Sequence, residues 1–189
     1  MDNERVSERP ALLVMDMQRN IVSRLGDEAL LARVSAAAAA ARNIAIPVIY
    51  VAVRFREGYP EVSERNKMFG GIRQRGGGED ASATEIHPAV APQPGDLVVE
   101  KRRVSAFAGS DLDVLLRAKG VDTLILCGIA TSGVVLSTLR YAADLDYRLC
   151  VLADGCADGD PEVHRVLLEK VFPRQADVLS IDEWCASLV

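Results

Sequence analysis

The sequence predicts an α/β protein: a single-domain, three-layer α/β/α sandwich with a doubly wound, mainly parallel sheet of about six strands. Two observations carry that prediction. Short runs of β-branched and aliphatic residues alternate with longer helical patterns, the signature of repeated βαβ units. The 189 residues, 49% hydrophobic with only 5% aromatic, are enough for one domain around an aliphatic core. The expected domain spans 1–189, with 1–9 as a flexible N-terminal segment.

The strands fall in order at Ala11 to Met15, Val48 to Val53, Leu97 to Glu100, Thr123 to Cys127, Arg148 to Leu152 and Asp177 to Leu179. Between the first two, Glu28 to Asn43 is alanine-rich and strongly helix-forming. Ser110 is placed to cap a helix whose third position, Asp113, reinforces its positive end, and Gly120 after Lys119 supplies the stop. Asp160-Pro161-Glu162 marks another helix start, because proline at the first helical position gives up no needed hydrogen bond; that helix should reach about Val171. The long irregular region is Arg54 to Pro94, with Gly76, Gly77 and Gly78 and a short helix expected near Glu64 to Arg75. Loops of that length in compact domains are usually functional or interfacial.

Composition narrows the function classes. A net charge of -5 argues against nucleic-acid binding, which needs a basic face to neutralise phosphates. Met1 to Pro10 is polar and charged, unlike a secretion or transit signal, and the apolar runs are far shorter than the ~20 residues that cross a bilayer. A soluble, cytoplasmic protein with no membrane partner is expected. Cys127, Cys150, Cys156 and Cys185 show neither CxxC pairs nor metal-type spacing, which fits buried thiols in a reducing compartment.

In open parallel sheets ligands bind beyond the carboxyl ends of the strands. Asp16 follows the first strand, Arg54 and Arg56 the second, Lys101 ends the third, and Gly128-Ile129-Ala130-Thr131-Ser132-Gly133-Val134-Val135 leaves the fourth. An acid at the end of an apolar strand is costly to bury alone, so Asp16 and Lys101 form a candidate pair, either functional, a plain structural ion pair, or with Asp16 a plain N-cap. The turn at Gly128 can hold an anion or oxyanion on backbone N–H groups. Arg54 and Arg56 alternate along the strand end, so one at most should face a pocket, where it would suit a carboxylate; the alternative is two solvated arginines paired with Glu57 or Glu61.

Three segments together resemble the isochorismatase-like hydrolases, often called cysteine hydrolases. Ala11-Leu12-Leu13-Val14-Met15-Asp16-Met17-Gln18 looks like the family's first-strand motif, Lys101 with Ser105-Ala106-Phe107 its lysine motif, and Gly128-Ile129-Ala130-Thr131 its elbow. The resemblance covers nearly the whole chain. It implies Asp16 as catalytic acid or base, Lys101 as the cation that tunes Asp16 and contacts the reacting group, and Phe107 near the substrate. It also implies a cis peptide between Ile129 and Ala130, with the N–H groups of Ala130 and Val134 as an oxyanion hole. The family's nucleophilic cysteine lies three residues after the elbow threonine and four before another. Thr131 and Thr138 bracket that position, which here is Val134; a register placing it at Gly133 breaks the match to Thr138. Neither register has a thiol.

Valine carries no nucleophile, so the thioester route of the family's amidases has no starting point there. By the resemblance, isochorismatases also lack the cysteine and hydrolyse a vinyl ether with the aspartate as proton donor and water completing the reaction. They have glycine at the position, where Val134 projects a branched side chain. Val51 to Arg56 contains no histidine, so the metal site of the nicotinamidases has no counterpart and neither metal nor other cofactor is expected. Three readings stand at this point: a cysteine-free hydrolase of a small carboxylated molecule, a pseudoenzyme that binds a metabolite or protein, and an amidase with a nucleophile relocated to Ser132 or Cys156. The resemblance further implies a homo-oligomer.

Overall fold

The computed structural model describes residues 8–25, 28–71 and 81–188. Six parallel strands form one sheet in the order β3-β2-β1-β4-β5-β6. They are β1 (Pro10–Met15), β2 (Val48–Val53), β3 (Leu97–Lys101), β4 (Thr123–Ile129), β5 (Arg148–Ala157) and β6 (Asp177–Leu179). Helices are α1 (Arg19–Val22), α2 (Glu28–Asn43), α3 (Leu112–Ala118), α4 (Leu136–Asp144), α5 (Pro161–Val166) and α6 (Ile181–Ala186).

Side chains alternate across each strand, so β1, β2, β4 and β5 feed a core on each face, whereas the edge strand β3 packs Leu97 and Val99 on one face and leaves Val98 exposed on the other. Leu13, Met15, Ile49, Val51, Leu124 and Leu126 pack with Leu112 and Leu116 of α3 and Leu139 and Ala142 of α4. Leu12, Val14, Val48, Tyr50, Ile125 and Cys127 pack on the other face with α2 and with Ile181 and Trp184 of α6. Burial on both faces explains why the strands read as continuous aliphatic runs, and it makes the three-layer sandwich. No helix among the described residues is long and apolar enough to cross a membrane.

Chain order runs outward from β1 to β3 and then returns to the other side of β1 at β4, so the winding reverses between β1 and β4. The crevice that a doubly wound sheet opens for ligands lies at the carboxyl ends of those two strands. Gly128 permits the approach, since a Cβ there would run into the Met15 carbonyl oxygen.

Several boundaries differ from the sequence reading. β5 continues five residues past Leu152 because a register shift between its pairings with Leu126 and Gly128 absorbs Ala153-Asp154-Gly155. Cys156 therefore sits inside the strand, opposite Gly128, rather than beyond it. The cap of α3 is at Asp111, while the Ser110 hydroxyl donates to Ala106 O and accepts from Leu112 N. Asp160 does cap α5, its Oδ1 accepting from Glu162 N and Val163 N, but Leu167–Val171 widens into a π-helical turn. Part of the helix expected near Glu64 to Arg75 lies outside the described residues; around Asn66 the chain makes turns, with Met68 N and Phe69 N donating to its side chain. Glu8 pairs with Arg148, and Arg9 N donates to Asp122; the rest of the segment expected to be flexible lies outside the described residues.

Candidate active site

Asp16 leaves β1 with φ +56, a conformation that an aspartate tolerates better than most residues. Its N–H donates to Val51 O at 2.8 Å, which anchors the turn to β2. Lys101 ends β3 two strands away, and its ammonium reaches Asp16 Oδ2 at 2.9 Å. That side chain is only 2% exposed, and Nζ also lies 3.0 Å from Arg103 O and 2.9 Å from Val104 O. Three acceptors match the three N–H donors of an ammonium, so the lysine is fully engaged and has no donor left for a ligand in this arrangement.

The carboxyl is less complete. Asp16 Oδ1 is buried and has no hydrogen-bond partner, although the residue lines the cavity. Burial raises the Asp16 pKa to about 6 against the opposing pull of Lys101. Because Oδ2 accepts from the ammonium, a proton taken up by this carboxyl belongs on Oδ1.

The opposite wall is the turn after β4. The Ile129–Ala130 peptide is cis, and a π-helical turn over Thr131–Val135 leads into α4. Two contacts from the segment after β5 pin it: Thr131 Oγ1 lies 2.8 Å from His164 Nδ1, and Ser132 N donates to Asp158 Oδ2 at 2.7 Å. Thr138 Oγ1 accepts from Ala106 N, tying α4 to the loop after Lys101. Ile129, Ala130, Gly133 and Val134 face the cavity, and the Val134 side chain is 2% exposed.

The cavity has a volume of about 940 Å³. Its outer wall carries Phe55, Tyr59 and Phe69, with Phe55 at 5.7 Å from Tyr59 and 5.4 Å from Phe69 between ring centres. Arg24 and Arg54 also line it, and among its described lining residues Asp16 is the single carboxylate. A separate depression of about 680 Å³ at the opposite edge of the sheet, near Tyr147 and Arg174, contains none of these groups.

Of the two alternating arginines, Arg54 lines the cavity and pairs with Glu100 at 3.3 Å. Arg56 does not line it; it points outward and pairs with Glu61 at 3.4 Å. Phe107 is likewise corrected: it is absent from the cavity wall because its ring is turned against α4, stacked on Tyr141 at 5.0 Å. Ser132 is exposed and Cys156 is buried in the sheet, and neither lines the cavity. Sequence reasoning gave no role to Gln18, which is 1% exposed. Its amide donates to Val53 O and Thr84 O and accepts from Val53 N, joining β1, β2 and the loop. The available signal was its position two residues after Asp16.

The isochorismatase domain family matches residues 10–183. The phenazine biosynthesis protein PhzD of Pseudomonas fluorescens is 39% identical over 186 residues, covering 93% of this chain and 84% of that one. Ureidoacrylate amidohydrolase RutB of Stutzerimonas stutzeri is 32% identical over 206 residues, covering 94% and 82%. Among solved structures, an isochorismatase family protein of Desulfovibrio vulgaris superposes with a TM-score of 0.85 at 26% identity, covering 96% of this chain and 99% of that one. With nearly its whole length matched in sequence and in fold, the chain belongs to the isochorismatase family of hydrolases.

Proposed function

We propose that the protein hydrolyses a small carboxylated molecule, an enol ether being the best fit, with Asp16 as general acid, water as nucleophile and no cysteine. The observation that carries this reading is the buried, unpartnered Asp16 Oδ1, on a carboxyl raised to about 6 and facing the cavity. A general acid works best with a pKa near the working pH, and here burial supplies the shift while Lys101 limits it. Asp16 delivers its proton from Oδ1 to the terminal carbon of the enol ether, leaving an oxocarbenium ion. Water adds to the cationic carbon and returns a proton to Asp16, and the hemiketal collapses to a keto acid and an alcohol. Lys101 holds Oδ2 throughout. The N–H groups of Ala130 and Val134 are the proposed donors to developing oxygen charge, and Arg54 the proposed partner of the substrate carboxylate.

The amidohydrolase relative raises the question of a thiol, since the resemblance gives the family's amidases a cysteine nucleophile. No cysteine lines the cavity among the described residues, and Val134 stands at the wall where the resemblance places one. That branched, buried side chain also supports a second reading, a binding protein that has lost turnover. Purified protein incubated with isochorismate separates the two. Pyruvate release that disappears in Asp16→Ala is the expected result; a folded protein that binds isochorismate and releases no pyruvate supports the binding role instead.

A further inference from the structure

The loop that carries the outer wall of the cavity is fastened at Glu61, by its carboxylate and by its backbone carbonyl. Glu61 Oε1 accepts from Arg56 N at 3.1 Å and pairs with the Arg102 guanidinium at 3.2 Å. The Glu61 carbonyl accepts from Arg103 Nη2 at 2.7 Å, and Arg103 Nη1 donates to Arg102 O at 2.7 Å. The Glu61 side chain is 13% exposed, and the adjacent Val62 is buried. Burial pushes the Glu61 carboxyl up, but the backbone N–H groups and the Arg56 and Arg102 charges hold it below the usual range, so it is ionised at neutral pH.

What the clamp grips is the turn immediately after Lys101. The carbonyls of Arg103 and Val104 take two of the three ammonium hydrogen bonds, and Val104 itself lines the cavity. We propose that Glu61 is a positioning residue: its carboxylate, through Arg102 and alongside the Arg103 bond to its backbone carbonyl, fixes the turn whose carbonyls aim the Lys101 ammonium at Asp16. The ion pair between the loop and the turn transmits loss of the clamp to the lysine, because Oδ2 and the two carbonyls together set where the ammonium sits, and a turn that shifts carries the ammonium out of line with Oδ2.

The proposal rests on Asp16 and Lys101 being the working pair, and it is tested without turnover. In protein labelled with 13C at the aspartate carboxyl carbons, assigned with Asp16→Asn, the Asp16 signal should titrate near 6. Lys101 is the charge in contact with that carboxyl, and Arg24 and Arg54 share the cavity. In Glu61→Gln the lysine's lowering influence weakens while burial remains, so the midpoint should rise by about half a pH unit or more. Arg102→Gln, which opens the clamp from the other side, should raise it similarly, and the double variant should add little. If either variant fails to fold, the other carries the test. A midpoint that stays put or moves down in the folded variants overturns the role of Glu61. Movement of the midpoint in a protein that releases no pyruvate keeps the clamp and removes the hydrolase reading.

Discussion

Two ion pairs flank β2, one buried and one partly buried, and they differ in how completely the protein solvates them. Arg42 grips Asp96 with a fork, Nη2 to Oδ2 at 2.7 Å and Nε to Oδ1 at 3.2 Å, and Gln93 N adds a third bond to the carboxylate. The remaining Arg42 contact goes to the Tyr50 hydroxyl. Asp96 thus has both oxygens partnered, whereas Asp16 has one oxygen on Lys101 and one on nothing. The first arrangement is finished structure. The second leaves an acid that burial has raised to about 6, beside a cavity, with a free position for a proton. A buried charge left half-solvated costs stability, and sites that tolerate the cost are where chemistry is found.

Asp16→Asn breaks the comparison most sharply. Removing the general acid should lower kcat by about a thousandfold with the fold retained. Because the folded pKa of Asp16 exceeds the ordinary 3.8, its contribution is most favourable below about 4 and is lost as pH rises through about 6. Wild type should therefore lose up to about 3 kcal/mol relative to Asp16→Asn across that window, read by denaturant titration at several pH values. In the same range kcat/KM for wild type should be flat below about 6 and fall tenfold per pH unit above it.

Lys101→Met leaves Asp16 buried without its cation. The carboxyl should then titrate higher still, moving the falling limb of the activity profile to higher pH. Its stability loss should be largest at pH 8, about 3 to 5 kcal/mol, and smaller at pH 5, where Asp16 is protonated and needs no partner. A pH-independent loss would mean that the two orphaned carbonyls, Arg103 O and Val104 O, dominate the effect. Arg42→Met tests the finished pair: about 1 to 3 kcal/mol of stability lost, since Arg42 is 21% exposed, with kcat changed by less than about twofold.

The same contrast explains what the sequence could reveal. Asp16 and Lys101 were legible because each is a charged residue ending an apolar strand, a placement that burial makes expensive and therefore informative. All six strands were legible as aliphatic runs, but the second half of β5 was not, since Ala153-Asp154-Gly155 has no strand pattern and falls in the register shift before Cys156 and Ala157 pair with Gly128 and Ile129 of β4. Arg54 and Arg56 read alike; only the fold of the following loop turns one into the cavity and the other toward Glu61. Phe107 was read as a substrate residue from its place in the lysine motif, Lys101 with Ser105-Ala106-Phe107, and a motif does not say which way a ring turns; here it stacks on Tyr141 of α4. Gln18 was silent because its partners, Val53 and Thr84, lie tens of residues away, and Glu61 was legible only as a partner for the nearby Arg56, since Arg102 and Arg103 are far along the chain.

The thiols offer the smallest expected effect. Cys127 is fully buried, with Sγ 3.5 Å from Leu13 O, and burial pushes its pKa well above the ordinary value. Burial raises Cys156 to about 12 and Cys150 to about 11, and Cys185 is raised as well. At pH 7.5 all four are almost wholly protonated, and it is the thiolate that attacks an alkylating agent. Iodoacetamide should therefore leave turnover of isochorismate unchanged within about twofold, and Cys156→Ala should do the same. Loss of activity in proportion to a single label on Cys156, reproduced by Cys156→Ala, would instead show that β5 opens toward the cavity and that a thiol takes part in the reaction.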